Sequence, residues 1–154
     1  YSDNNAKNLL LSTIDPGGKA SLQVLTDLGV VFPTTNADTN FLTVRDYASF
    51  FRVLFNASYI SKASSEKALS ILARAKFNLG LDAPIPDTIP IAHKFGEREL
   101  DNLTQLHDCG IIYYPNHPYL LCVMTRGTGI ESLTKTIADI SKFVYGEVRA
   151  QSIQ

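Results

Sequence analysis

The 154-residue chain is 45% hydrophobic and 19% charged, a balance typical of a folded domain with a sizeable core and not of a disordered segment. Its formal net charge of −1, with lysines and arginines scattered along the chain, excludes the clustered basic face that nucleic-acid binding usually needs. No apolar run is long enough to span a bilayer, and no Cys/His spacing indicates a metal site. We therefore expect no nucleic-acid partner and no metal or other cofactor.

The first half of the sequence has the apolar periodicity of helices. Asp15-Pro16-Gly17-Gly18 separates the first two helical segments, and Thr43 is a good N-cap for the third, which has a broad apolar face. Proline, asparagine and aspartate give residues 30–42 the character of a loop. The helices are predicted over residues 5–14, 19–28, 43–56 and 64–75.

The second half changes to the periodicity of strands, after three prolines at positions 84, 86 and 90 that exclude a regular helix. Strands are predicted over residues 89–95, 106–114 and 119–125, and the turn Pro115-Asn116-His117-Pro118 joins the last two. An amphipathic helix is predicted over residues 130–148. Helices followed by a three-stranded antiparallel meander and a C-terminal covering helix indicate an α+β fold.

Two short motifs bear on chemistry. Ser2-Asp3-Asn4 stands directly before the first helix, where all three side chains are ordinary helix caps. His93-Lys94-Phe95-Gly96 ends the first strand, where a lysine next to a glycine brings an ammonium group beside a backbone that a ligand can approach closely. Taken alone, each motif is better explained structurally, as a cap and as an exposed strand end. Their order and setting favour a functional interpretation.

The chain resembles the serine β-lactamases and penicillin-binding proteins, which combine S-x-x-K, S-D-N and K-T-G motifs. Residues 1–10 resemble the SDN loop of class A β-lactamases with the helix that follows it, and residues 91–97 resemble the K-T-G strand. Residues 107–113 and 119–127 are similar to the next two strands, and residues 43–56 to the helix after the Ω-loop. The resemblance covers essentially the whole chain in the family's order. It implies part of the serine β-lactamase/D,D-peptidase fold.

The resemblance implies catalytic roles for Ser2, Lys94 and Glu97. Ser2 would relay a proton to the leaving nitrogen, and Lys94 would attract the substrate carboxylate and tune Ser2. The backbone N–H of Glu97 would be one oxyanion-hole donor. The resemblance also implies that the substrate is bound by Asn4, Phe95, Gly96 and Arg98.

The nucleophilic serine of the family precedes the SDN motif, so we expect it upstream of this chain. Two S-x-x-K strings do occur, Ser64-Ser65-Glu66-Lys67 and Ser132-Leu133-Thr134-Lys135, but both follow the SDN motif. Both also stand at or near predicted helix starts, where serine is expected as a cap. We interpret both strings as structural.

Three features depart from the family's pattern. No glutamate precedes Glu66, and residues 29–42 are too few for the Ω-loop whose glutamate activates the deacylating water in class A enzymes. Phe95 replaces the hydroxyl residue of K-T-G. Cys109 stands where some members carry a carboxylate-binding arginine, which leaves Arg98 and Arg126 as candidate substitutes. The missing glutamate argues against efficient release of an acyl-enzyme, and Phe95 removes one hydrogen bond to the substrate carboxylate.

The resemblance implies an enzyme that acts through an acyl-serine on β-lactams or D-alanyl peptides outside the cytoplasmic membrane, where it would be periplasmic, secreted or membrane-anchored. The alternative is a non-catalytic descendant that binds peptidoglycan or a protein. Because the first residue is Tyr1 and not methionine, we expect one incomplete domain that is inactive alone, with a helical part over 1–86 and a strand part over 87–154. An exposed strand at 119–125 would then require a companion N-terminal segment or a strand-exchanged copy.

Cys109 and Cys122 lie in apolar, strand-like sequence and are interpreted as small buried hydrophobic residues. They are close together across the predicted hairpin, where direct cross-strand disulfides are often strained, so the oxidised and reduced states both stay open. His93 and His107 lie on neighbouring strands, where they could face each other, and we interpret both as packing or surface residues because no third metal ligand is evident. His117 is interpreted as a turn residue.

Overall fold

The computed structural model describes residues 3–30 and 42–152. Within these residues, five helices and three strands follow each other in the predicted order, which confirms the α+β fold. The strands form one antiparallel sheet with the order β1-β2-β3. The elements are α1 (Asn4–Ile14), α2 (Lys19–Asp27), α3 (Val44–Asn56), α4 (Lys62–Leu72), β1 (Ile91–Leu100), β2 (Leu103–Ile112), β3 (Tyr119–Gly127) and α5 (Ile130–Gln151).

Side-chain caps set the starts of three helices. The Asp3 carboxylate accepts the N–H of Ala6 at 2.9 Å before α1. Thr43 and Asp46 form a reciprocal capping box at the start of α3. Ser61 accepts the N–H of Ser64 at 3.2 Å, so α4 begins at Lys62, two residues earlier than predicted. The helix also ends earlier, at Leu72, because the N–H groups of Arg74 and Ala75 bond three residues back, to Ile71 and Leu72, and not four.

The first hairpin is longer and tighter than predicted. We predicted strands ending at residue 95 and resuming at 106, but β1 runs to Leu100 and β2 begins at Leu103. Asp101 and Asn102 make the connection with φ values of 53° and 59°. Two left-handed residues give a two-residue turn whose twist matches that of the flanking strands, and aspartate and asparagine tolerate this conformation.

The two faces of the sheet bury different clusters. α5 packs on one face, where Leu133 and Ile137 meet Leu81, Leu106 and Val123. α3 and α4 pack on the other face, which adds Cys109 and Ile111 from β2 to a second cluster around Phe51. β1 and β3 each have one edge without a partner strand in the described part of the chain. The sheet is therefore covered on both faces and open at its edges.

Gly110 is required by a close approach between β1 and β2. A Cβ atom there would lie 2.7 Å from the carbonyl oxygen of Ala92 and 2.9 Å from the Cα of His93, both backbone atoms. We expect Gly110→Ala to lower the free energy of unfolding by about 1–3 kcal/mol, measured by urea denaturation. Gly146→Ala in α5 is the control, because a Cβ there meets nothing within 4 Å, and we expect up to about 1 kcal/mol of stabilisation. Equal stabilities of the two variants would contradict this packing.

α1 is the least packed element of the described chain. It buries none of its residues, and Leu9, Leu10 and Ile14 are 70%, 60% and 72% exposed. It makes no packing contact with the sheet in the residues that the structure describes. Across those same residues, no helix combines the length and the apolar character needed to cross a membrane.

Candidate active site at the edge of β1

The free edge of β1 presents the backbone of alternate residues. The N–H of Tyr113 donates to the carbonyl oxygen of Pro90 at 3.0 Å, which in this register directs the even-numbered residues of β1 toward β2. The N–H and C=O groups of the odd-numbered residues therefore point away from β2, because strand residues alternate in hydrogen bonding. Glu97 is one of these residues, so its N–H lies on the free edge. Its side chain is exposed.

Lys94 lies half-buried at this edge. Its ammonium nitrogen donates to the carbonyl oxygen of Phe95 and lies 4.8 Å from the centre of the Phe95 ring. Burial lowers the pKa of Lys94, and attraction to Asp108 partly opposes that effect. The hydroxyl of Tyr47 donates to the backbone oxygen of Lys94 at 3.0 Å, which ties α3 to β1. The position of Lys94 is thus fixed from both the helix and the strand.

An open cleft of about 1080 Å³ runs between this edge and the end of α4. Lys94, Arg74 and Lys76 give it positive charge, and no aspartate or glutamate is among the described residues that line it. Its apolar wall includes Phe77 and Phe95, whose rings stack with their centres 4.1 Å apart. The cleft is therefore positively charged with an apolar side, which suits an anionic ligand. Sequence reasoning missed Arg74, Lys76 and Phe77, because no motif marks the segment after α4.

Packing requires a glycine at position 96, in addition to the close approach of a ligand that the sequence predicted there. A Cβ atom on Gly96 would overlap the ring of His107, which stands opposite it on β2. His107 in turn packs edge-on against Tyr47, with ring centres 4.9 Å apart. Burial lowers the pKa of His107, and the charge of Lys94 lowers it further. The absence of a side chain at Gly96 thus lets His107 pack beneath the candidate site.

The structure does not bring all the predicted site residues together. Ser2 lies outside the described residues, and Asn4 is exposed in the first turn of α1, away from the sheet. Arg98 and Arg126 line a separate cleft of about 300 Å³ with Tyr47 and His107. Neither arginine therefore lies in the Lys94 cleft, where Arg74 is found instead. Arg126 also pairs with Asp101 at 3.6 Å.

A buried ion pair stands behind Lys94. His93 and Asp108 are 3% and 0% exposed, and Nδ1 of His93 lies 2.9 Å from an Asp108 carboxylate oxygen. Nδ1 must carry the proton, because a carboxylate only accepts. The other oxygen of Asp108 accepts the N–H of Leu81 at 3.0 Å, and the Leu81 carbonyl accepts the Ser141 hydroxyl of α5 at 2.6 Å. This network joins the sheet, the loop before β1 and α5.

His93 and His107 lie on neighbouring strands but do not face each other. Successive residues of a strand point to opposite faces, and in this register His93 shares the Asp108 face while His107 shares the Gly96 face. The sequence pattern therefore did not indicate the His93–Asp108 pair, although Asp108 directly follows His107 in the chain. The signal that would have found it is the register, which the Asp101-Asn102 turn sets.

His93 should make stability depend on pH. Burial alone would lower its pKa, but the hydrogen bond and charge of Asp108, with attraction from Asp82, outweigh burial and raise it. A raised pKa in the folded state adds stability that is complete below the unfolded pKa of about 6.5 and is lost as pH rises through the folded value. We expect the stability difference between wild type and His93→Gln to be largest near pH 6 and to shrink as the pH rises above about 6.5 and through the raised folded pKa.

The comparison with His93→Gln isolates this residue. The lowered pKa of His107 makes an opposite contribution, but that contribution is present in both proteins and cancels in the difference. Urea denaturation at a series of pH values measures it. A difference that stays constant, or that grows with pH, would contradict the assignment of a raised pKa to His93.

Cys109 and Cys122 are joined as a disulfide between β2 and β3, with their Cα atoms 4.0 Å apart. They face each other directly in the register. Because Cys109 pairs with Lys94 on the hydrogen-bonded side, its pairing with Cys122 falls at a non-hydrogen-bonded position, where side chains are closest. Cys109 belongs to the apolar cluster around Phe51 and Cys122 packs against it, as expected of small hydrophobic residues.

The two S-x-x-K strings lie at helix starts, as predicted. Ser64 is exposed, and its N–H and hydroxyl are both bonded to Ser61. Ser132 is exposed and donates to the carbonyl oxygen of Gly129 at 3.2 Å. No group of three or more metal-ligating side chains comes together within residues 3–30 and 42–152.

The family of this chain follows from a comparison of its sequence with models of protein families. The sequence model of the β-lactamase enzyme family matches residues 1–148. The chain belongs to this family. Membership confirms the resemblance drawn from the SDN-like and K-T-G-like motifs. No curated protein matches the sequence significantly.

Solved structures of the family's fold superpose on nearly the whole chain. PBP-A is 25% identical with a TM-score of 0.76, and a β-lactamase from Sphaerobacter thermophilus is 22% identical with a TM-score of 0.79. The chromosome-encoded β-lactamase of Vibrio parahaemolyticus is 19% identical with a TM-score of 0.76. The superpositions cover 97%, 97% and 95% of this chain but 57%, 59% and 60% of those chains. This member of the family thus spans less than two thirds of these structures.

Proposed function

We propose that this chain is the C-terminal part of a serine acyl hydrolase or transferase that acts on β-lactams or D-alanyl peptides. The observation that carries the proposal is the free edge of β1, where the Lys94 ammonium lines an open cleft and the N–H of Glu97 points away from β2. A cation for a carboxylate and a backbone donor for an oxyanion, on one strand edge, suit acyl transfer. Arg74 and Lys76 add positive charge to the same cleft.

In the proposed reaction, a serine upstream of this chain attacks the substrate carbonyl, the C–N bond breaks, and an acyl-serine forms. With α1 docked on the upstream segment beside the cleft, Ser2 would pass the proton to the leaving nitrogen, and Asn4 would hold the amide side chain of the substrate. Lys94 attracts the carboxylate, and the N–H of Glu97 stabilises the oxyanion. Because no glutamate precedes Glu66, the water that would release the acyl group lacks the usual base. We infer slow deacylation, as expected of a penicillin-binding protein more than of a fast β-lactamase.

Intact-protein mass spectrometry tests the proposal. The complete open reading frame that contains this chain is expressed and incubated with benzylpenicillin, and the mass should rise by one molecule of drug. Peptide mapping should place the adduct on a serine upstream of Tyr1. The L158E mutant of PBP-A, to which this chain is similar, forms an acyl-enzyme complex with penicillin G. The variants Ser64→Ala and Ser132→Ala should retain the adduct, and the isolated 154-residue chain should form none. A folded complete protein without an adduct at saturating drug would overturn the proposal.

We also propose that a companion N-terminal segment completes the domain, of which residues 1–86 are the helical part and residues 87–154 the strand part. Two observations support it: the exposed leucines of α1 and the unpaired outer edge of β3 in the described chain. Phe143 of α5 is also 69% exposed. Light scattering after size-exclusion chromatography should show association of the isolated chain and a monomer when the upstream segment is co-expressed. A stable monodisperse monomer of the chain alone would contradict this.

A non-catalytic protein that binds peptidoglycan or a protein partner through the same cleft is the alternative. Phe95 favours it, because a phenyl ring replaces the hydroxyl that would hydrogen-bond a substrate carboxylate. The discriminating observation is the sequence upstream of Tyr1. An S-x-x-K about one helix earlier supports the enzyme, and its absence supports the binding protein. For either function we propose a location outside the cytoplasmic membrane, where peptidoglycan and β-lactams are encountered.

A further inference from the structure

The Phe77–Phe95 pair is a surface feature as well as part of the fold. The two rings are nearly parallel, at 16°, with their centres 4.1 Å apart. Both side chains pack against the cluster beneath α5, yet neither is fully buried and both line the Lys94 cleft. Both rings therefore keep some apolar surface open at the cleft, and ring surface that a ligand covers contributes to binding.

Cation and ring are adjacent in this cleft. The Lys94 ammonium lies 4.8 Å from the centre of the Phe95 ring. An anion bound by Lys94 therefore holds its nearest substituent within reach of the rings. A phenylalanine offers no hydrogen bond to the anion, so recognition divides into charge from Lys94, Arg74 and Lys76 and apolar contact from the stacked pair.

We propose that Phe77 and Phe95 form a specificity surface for ligands in which the anionic group is carried on an apolar or aromatic substituent. This inference rests on the proposed function for the reaction involved. In that reaction the surface contacts the substituent next to the carboxylate of the leaving group. Phe77, which no motif marks, is a specificity-determining residue under this proposal.

A series of thioester substrates tests the proposal. All carry the same acyl group, and the leaving group is mercaptoacetate, 2-mercaptopropanoate or 2-mercapto-3-phenylpropanoate. In each the serine oxygen forms a bond to the carbonyl carbon, the C–S bond breaks, and the thiol leaves with the serine proton. We expect the complete wild-type protein to react with the phenyl substrate about tenfold faster than with the methyl substrate at equal concentrations below saturation, the size that one aromatic contact gives.

The ratio of the phenyl rate to the methyl rate is the readout, because it is independent of the amount of folded protein. Phe77→Ala and Phe95→Thr should each lower this ratio to about two or less. Leu121→Ala is the matched control, since Leu121 packs against the same cluster but does not line the cleft; it should leave the ratio unchanged. Equal rates across the series in wild type, or an unchanged ratio in Phe77→Ala, would overturn the proposal and leave the acyl-serine reaction standing.

A binding measurement separates this proposal from the reaction. Chemical-shift perturbation by 3-phenylpropanoate and by propanoate is measured on the complete protein and on Phe77→Ala. We expect about tenfold tighter binding of 3-phenylpropanoate in wild type, lost in Phe77→Ala. If no thioester acylates the protein while this preference persists, the proposed reaction fails and the specificity surface is supported. Equal affinity for the two acids would overturn the surface whatever the outcome of acylation.

Discussion

We expect Asp108→Ala to lower the free energy of unfolding by about 3–5 kcal/mol, the cost of breaking a buried ion pair by removing one partner. Asp108 is fully buried, and its carboxylate accepts hydrogen bonds from Nδ1 of His93 and the N–H of Leu81. Alanine would leave both donors without an acceptor and would remove the attraction that holds a proton on His93. Urea denaturation near pH 6.5, followed by circular dichroism, measures the loss.

A control variant and a double-mutant cycle make this prediction specific. Asp101→Asn removes an exposed charge that pairs with Arg126 at 3.6 Å, and exposed pairs contribute little; asparagine also tolerates the left-handed conformation of this position, so we expect almost no change. In a double-mutant cycle, His93→Ala should cost much less in the Asp108→Ala background than in wild type, because the partners act as a unit. Additive effects of the two substitutions, or an Asp108→Ala protein as stable as Asp101→Asn, would show that the pair does not hold the sheet to its loop.

We expect Lys94→Ala to lower the second-order rate constant for acylation of the complete protein by benzylpenicillin on the order of 10²-fold to 10³-fold. An attraction of about 4 kcal/mol between unit charges at 4 Å near a protein surface corresponds to about three powers of ten. Burial strengthens this attraction and lowers the pKa of Lys94 at the same time, so the rate should also fall as Lys94 deprotonates at alkaline pH. Stopped-flow or quenched acylation followed by mass spectrometry measures the rate constant.

Lys94→Arg and Lys135→Ala are the controls. Arginine keeps the charge, so its loss should be well below that of alanine, whereas Lys135 pairs with Asp139 on the exposed side of α5 and should have no effect. Added salt should slow wild type more than Lys94→Ala, because screening acts on the charge that the variant lacks. A rate constant for Lys94→Ala within about threefold of wild type would exclude a carboxylate role for Lys94.

The helices were predictable from sequence to within a few residues, because capping chemistry and apolar periodicity are local. Thr43 shows this, since its predicted cap is part of the observed box with Asp46. The strands were placed in the right order but with the wrong ends at the first hairpin. The Asp101-Asn102 turn was not predicted. The residues on either side of it are mostly polar, so the strand periodicity did not show that β1 and β2 continue to it.

The candidate site divides in the same way. Lys94 and Gly96 were identified from a motif, and the structure places Lys94 in a cleft. Arg74 and Phe77 lie some twenty residues before it in the chain, and only packing of the end of α4 against β1 brings them to the same cleft. Contacts between distant segments depend on the whole fold, so no local sequence pattern predicts them.

The sequence by itself determined the family, the α+β order and the position of the lysine at the strand end, because motif order and periodicity are written along the chain. The tertiary structure decided which side chains face each other. A shift of one residue in a strand moves every side chain to the opposite face, so the register alone separates His93, paired with Asp108, from His107, packed on Gly96. The register also directs the N–H of Glu97 to the free edge, which is the feature on which the proposed chemistry depends.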